Sequence, residues 1–308
     1  ASVFAGGVDE YGRMFSVANF EMNSSGAAAQ SNKDGLDASN SVWNPEANLS
    51  DIEPFEPIWP LKWLGRGVQT DGGGYGKHRG GATITSLYVI EPPIKFVESG
   101  TFQGGDKVFV SPGTMGGYPA PTRYRYTLVD TNFEDAARQQ LPLPHDEGDP
   151  ADPDFARLLT GTLKRTPGQS ASVQFNRYDV IHNTSGGGGG WGDPLERSPE
   201  MVVQELNEGL TFPKTAETVY GVATEKTNDG IFFLDAEKTA TLREKIRKDR
   251  LKKAVPTKDY LAKARKDVVE GNFVPVVKEM YNDGFNNSPR FLREYREFWN
   301  LPDTFVGF

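Results

Sequence analysis

The chain has no cysteine among its 308 residues. That removes disulfides, thiolate metal ligands and a cysteine nucleophile together, and it fits a cytoplasmic compartment. Histidine is nearly as scarce, with only His78, His145 and His182. None of them stands in a His-x-His or His-x-x-x-His spacing, so a locally built metal site is not expected. No run of about 18 apolar residues is present, so no membrane span is expected. The first residues, Ala1-Ser2-Val3-Phe4-Ala5-Gly6-Gly7, lack the charged start and long apolar stretch of a signal peptide. With no initiator Met either, the sequence reads as a piece of a longer subunit or a processed one. No serine occupies a Gly-x-Ser-x-Gly elbow. Asn23-Ser24-Ser25-Gly26 offers a hydroxyl or backbone amides, but no activating base is evident beside it. Gly76-Lys77-His78 fails the phosphate-loop pattern, because Asp71 stands where Gly is needed and His78 where Ser or Thr would hold magnesium. There is no internal repeat.

The net charge of −8 is unevenly spread. Residues 1–235 hold 18 Lys/Arg against 31 Asp/Glu, whereas residues 236–270 hold 12 against 6. The basic block alternates signs, as in Arg243-Glu244-Lys245, and apart from Tyr260 has no interleaved aromatics. It therefore reads as a solvated helix face, with docking onto an acidic sister subunit as the second reading and nucleic acid only third, so no nucleic-acid partner is expected.

Glycine is what the chain has in abundance. Residues 186–200 read Gly-Gly-Gly-Gly-Gly-Trp-Gly-Asp-Pro-Leu-Glu-Arg-Ser-Pro-Glu. Consecutive glycines let a backbone approach another group closely. Ser198 and Pro199 then mark a helix start, a geometry suited to an anion or a close-packed partner. Gly187, Gly188, Gly189, Asp193 and Arg197 are accordingly candidates for substrate or anion binding, with an internal carboxylate–Arg brace as the alternative for Asp193 and Arg197. A second glycine-rich turn, residues 72–81, carries Lys77, His78 and Arg79, three side chains able to hold a phosphate, a carboxyphosphate or a developing enolate. His182 and Asn183 precede the long glycine run. His182 and His78 are the candidates for acid–base catalysis, and Asn23, Ser24 and Asn183 for binding.

Strands are expected over 82–90 with alternation through Ile84, Ser86, Tyr88 and Ile90, over 107–110, over 124–129 and over 170–181. Three prolines make 51–60 an extended, irregular segment. The acidic stretch 145–154 reads as a solvated insertion. Val203, Leu206 and Leu210 form the buried stripe of the helix after Ser198, with Gly209 as its stop. Helices are further expected from Asp235 (Leu242, Ile246), around Leu261, Ala264 and Val268, and over 289–299. The aromatic stripe Phe291, Tyr295, Phe298 and Trp299 is read as packing against another body. The predicted class is α+β: a β-rich, mixed-sheet body with glycine-rich loops over 1–235 and a helical C-terminal interface region over 236–308.

Three ordered blocks carry a family resemblance. Residues 186–197 with Gly209-Leu210, Pro213 and Tyr220-Gly221-Val222 resemble the C-terminal signature of the hydantoinase B/oxoprolinase superfamily. Residues 72–81 resemble its glycine-rich Lys/Arg turn. Tyr11-Gly12-Arg13, residues 19–26, residues 34–38 and Trp43-Asn44-Pro45-Glu46 resemble the α-type subunits of acetone and acetophenone carboxylases. The resemblance implies part of an ATP-dependent, biotin-independent carboxylase acting on a small ketone. A hydantoinase A-like partner would use ATP, further carboxylase subunits would complete the complex, and bicarbonate or carbon dioxide would be the co-substrate. A divalent metal is implied in the complex but outside this chain. The runner-up is a hydantoinase or oxoprolinase subunit that opens a cyclic amide. Those relatives carry an Arg soon after the Arg-Gly-Gly turn, where this chain has Ala82-Thr83-Ile84-Thr85. A non-catalytic structural paralogue is the third reading.

Overall fold

A computed structural model describes residues 2–9, 11–19, 24–39, 51–57, 61–91, 96–101, 111–121, 125–145, 148–149, 152–153, 155–165 and 173–308. Its first elements are β1 (Ser2–Val8), β2 (Met14–Asn19), α1 (Ile52–Phe55), β3 (Leu61–Val68), β4 (Ile84–Ile90), β5 (Phe96–Thr101) and β6 (Arg125–Val129). Next come α2 (Phe133–Arg138), β7 (Gly148–Asp149), β8 (Asp152–Pro153), α3 (Phe155–Leu158), β9 (Thr162–Arg165), β10 (Val173–Phe175) and β11 (Val180–Thr184). After a 3-10 turn at Pro194–Glu196 follow α4 (Pro199–Asn207), α5 (Pro213–Thr218), β12 (Thr224–Lys226) and β13 (Phe232–Leu234). Four helices close the chain: α6 (Ala236–Lys253), α7 (Thr257–Val269), α8 (Pro275–Asn287) and α9 (Pro289–Trp299). The class is α+β, and each of these strand ladders is antiparallel.

Two sheets make up most of the β-rich part, one in the order β10-β5-β1-β2 and one in the order β3-β4-β11-β6-β9. In the five-stranded sheet every residue of β4 and β11 is buried. The alternation expected along 84–90 is therefore not a buried-versus-exposed one. Both faces of these central strands are covered, so period-two polarity marks two different interiors. One face carries Leu61, Tyr88, Ile90 and Ile181, which meet Phe175 of β10 and Phe15 of β2 from the other sheet. The opposite face carries Leu87, Val89, Leu128 and Val180 and is covered by Phe133 and Ala136 of α2.

The single strand expected over 170–181 is two strands in different sheets. A turn at Asn176–Asp179 separates them, with Tyr178 at a φ of 64°. His182, Asn183 and Thr184 thus lie within β11 rather than beyond it. Part of 51–57 is the short helix α1 and part of the acidic insertion is the β7–β8 hairpin, while 58–60 and 107–110 lie outside the described residues. The helix after Ser198 starts at Pro199, but the Ser198 hydroxyl bonds the Glu200 carboxylate and does not cap the backbone. Its buried stripe is Val202, Glu205 and Leu206, and Leu210 lies past its end. Gly209, with a φ of 75°, follows that end as expected.

The chain divides into two compact units, Ala1–Glu244 and Lys245–Phe308, and the division falls inside α6. The second unit has its own core, in which Val268, Phe285 and Tyr295 gather Phe273, Tyr281, Trp299, Phe305 and Phe308. Tyr295 and Trp299 of the expected stripe thus pack within their own unit, whereas Phe298 is 73% exposed and so is much of Leu261. The sequence gives little sign of α8, because Gly284 and paired asparagines are weak helix formers. Gly284 sits under the Phe291 ring, where a larger residue would crowd it.

Candidate functional site

The glycine-rich segments form one backbone knot. Gly26 N–H donates to Gly186 O (2.9 Å), Gly74 N–H to Gly188 O (2.8 Å), Gly188 N–H to Gly81 O (2.9 Å), and Ala29 N–H to Gly189 O (2.9 Å). Residues near 27, 35, 74, 80 and 188 are thus laced main chain to main chain. A Cβ on Gly188 would fall 1.8 Å from Ala27 O, and one on Gly80 would fall 1.9 Å from Gly188 O. Close approach, which only glycine permits here, is made to the protein's own backbone. Gly187, Gly188 and Gly189 are thus packed against neighbouring main chain, at Gly72, Ala27 and Pro112.

An ionic brace lies against the knot. Arg197, whose side chain is fully buried, donates to both Asp34 carboxylate oxygens (2.6 and 2.8 Å) and to Glu205 (2.7 Å). Arg79 donates to Glu205 (2.7 Å) and, through both terminal nitrogens, to Asp37 (2.7 and 3.0 Å). Two guanidiniums held by three carboxylates are already partnered, so Arg79 and Arg197 form the internal brace rather than an open anion site. Burial alone would raise the Asp34 carboxyl. The Arg197 guanidinium and the Arg79 backbone N–H outweigh it and hold Asp34 below the usual carboxylate range. Burial would lower both guanidiniums, but their carboxylate partners hold them above their ordinary value. Behind the brace, burial pushes the Tyr220 phenol well up, and Tyr75, whose ring meets that of Tyr220 edge-on, is pushed up to about 12, also by burial.

The remaining sequence-derived candidates fall around this core. His78 pairs its backbone with Trp191 (3.0 and 2.9 Å), and its Nδ1 lies 3.6 Å from Asp34. Lys77 is 3.8 Å from Glu196 and keeps 43% of its side chain exposed. Asp193 accepts from Leu195 N–H (2.9 Å) and caps the turn at 194–196. Ser24 is buried and its carbonyl accepts from Ile84 N–H (3.3 Å). Asn23 lies outside the described residues. His182 and Asn183, adjacent on β11, point to opposite faces. His182 Nε2 is 2.6 Å from Thr85 Oγ1, while Asn183 Nδ2 donates to the Tyr88 hydroxyl (2.6 Å). His182 is only 1% exposed, although the glycine run begins four residues beyond it. Sequence reasoning did not single out Asp34, Asp37 and Glu205 as partners. The signal was the pair of arginines, Arg79 and Arg197, inside glycine-rich motifs, since a buried guanidinium requires carboxylates from elsewhere in the chain. Among the described residues no group of three or more His, Asp or Glu is placed to hold a metal ion.

Residues 1–194 match the hydantoinase B/oxoprolinase family, and with well over half of the chain matched, it belongs to that family. The acetone carboxylase alpha subunit of Xanthobacter autotrophicus is 34% identical over 305 residues, covering 98% of this chain and 39% of that subunit. A nucleotide-free structure of acetone carboxylase, from work on ATP-dependent acetone carboxylation, superposes with a TM-score of 0.88 at 33% identity, covering 99% of this chain and 40% of that one. The acetophenone carboxylase delta subunit of Aromatoleum aromaticum is 24% identical over 82% of this chain and 36% of its own length. An ATP-dependent caprolactamase from Pseudomonas jessenii shares the fold, with a TM-score of 0.57 at 22% identity over 79% of this chain and 37% of that one. The chain thus spans about two fifths of the length of the relatives it matches.

Proposed function

We propose that this chain is part of the α-type subunit of an ATP-dependent, biotin-independent ketone carboxylase, which joins an activated enolate to carbon dioxide or bicarbonate and yields a β-keto acid. A hydantoinase A-like partner spends the ATP, further carboxylase subunits complete the assembly, and any divalent metal is held outside this chain. The observation that carries the reading is the extent of the match. The family match ends at residue 194, whereas likeness to the acetone carboxylase alpha subunit runs over 98% of the chain and so takes in most of the C-terminal helices. His78 and Lys77, which keep exposed surface at the rim of the knot, serve anion handling there. His182 is assigned a hydrogen-bonding role through Thr85.

The test is native purification of the full-length subunit with its associated chains, followed by assays with labelled bicarbonate. Ketone-dependent ATP use with label incorporated into a β-keto acid supports the proposal. ATP use that answers only to cyclic amides overturns it.

A further inference from the structure

Four neighbouring strands of the five-stranded sheet place polar residues in one row. Arg66 of β3 lies opposite Ser86 of β4, Ser86 opposite Asn183 of β11, and Asn183 opposite Arg125 of β6. Directly opposed residues share a face and stand about 5 Å apart at Cβ. Thr127 is two residues along β6 from Arg125, on the same face, and Tyr88 is two residues along β4 from Ser86. This face looks toward the other sheet. Tyr88 belongs to the apolar cluster there, and the Arg125 guanidinium lies 5.0 Å from the centre of the Phe175 ring. The row therefore runs between that apolar cluster and the knot.

Ser86, Thr127 and Asn183 are each no more than 2% exposed. Yet Ser86 Oγ, Thr127 Oγ1 and Asn183 Oδ1 make no hydrogen bond. One unpaired buried polar atom weakens a fold, and three on one face of one sheet form a pattern that stability does not explain. Within the row the Ser86 hydroxyl can donate, and the Asn183 amide, turned over against the Tyr88 hydroxyl, presents its N–H group instead. The outer positions of the row are guanidiniums, which suit a planar oxyanion.

We propose that this row binds a small planar oxyanion, a carboxylate or bicarbonate, with Ser86 and Asn183 as its hydrogen-bonding contacts and Arg66 and Arg125 supplying positive charge from the two sides. The oxyanion chemistry comes from the row. The choice of bicarbonate and a β-keto carboxylate as probes rests on the carboxylase reading.

The experiment uses the intact complex without ATP, with binding of bicarbonate and of acetoacetate measured by carbon-13 NMR and by melting temperature. Ser86→Ala removes an unpaired atom of the row, and Thr127→Val, which removes an unpaired atom one row away opposite Ile181, is the control, each at nearly constant shape. Weakening of either probe's Kd by about tenfold in Ser86→Ala, with an unliganded melting temperature equal to or above wild type, supports the site. The probe affected tells which source fills it. Unchanged Kd in Ser86→Ala, equal weakening in Thr127→Val, or no binding of either probe by the wild-type complex at millimolar concentration, overturns it. A failed carboxylase reading shows instead as absent ketone-dependent ATP use, which this binding measurement does not involve.

Discussion

At the scale of single residues, the knot and the brace respond differently to change. Gly188→Ala has no room to relax, because the obstacle is the Ala27 main chain rather than a flexible side chain. The variant is expected to lose at least about 3 kcal/mol of stability, read from the denaturant midpoint. Asp34→Asn removes the partner of a fully buried guanidinium. Truncating one side of such a pair costs about 3–5 kcal/mol. The same carboxyl sets an acid limit. Since Asp34 in the folded protein titrates below its ordinary value, its contribution is complete above about pH 4 and is lost as pH falls through the lowered value. Unfolding midpoints between pH 6 and 2 should show this loss in the wild type and a flatter acid limb in Asp34→Asn.

At the scale of elements, the sequence disclosed most where a local rule decides the outcome. Pro199 opens α4 and Gly209 follows its end because proline suits the first helical turn and glycine the left-handed position after a helix. Where tertiary packing decides, local reading fell short. The run 170–181 has one continuous strand propensity but serves two sheets, and Gly284 looks unfavourable in a helix until the ring of Phe291 is seen above it. Within the candidate site, the arginines and histidines were legible as special, but their partners were not. Asp34 is 163 residues from Arg197 in the chain, and no periodicity reports a contact of that range. For α9 the local rule does hold. Ser288 caps it by accepting from Phe291 N–H at 3.2 Å, so Ser288→Ala should lower the stability of the C-terminal unit by about 1 kcal/mol, measured by hydrogen exchange in α9.

At the scale of the whole molecule, each compact unit has its own core. Tyr295 is the centre of the aromatic cluster in the C-terminal unit and touches Tyr281, Phe285, Phe291 and Phe305. Tyr295→Ala is expected to remove about 3 kcal/mol from that unit. Exchange protection should fall across α7, α8 and α9, while amides of β4 and β11 keep theirs. Equal loss in both sets would mean that the two units unfold as one.

The knot also bears on how the chain reaches this structure. Its hydrogen bonds join segments near residues 27, 74 and 188, so none can close before long stretches of chain have been brought together. Contacts of such sequence separation slow folding, because the entropy of loop closure is lost before any bond compensates it. Until that moment the glycine segments have no side chains to hold them in a partial structure. Assembly of the knot is therefore a late, all-or-none event in refolding, and a Gly188 substitution should accelerate unfolding far more than it slows folding.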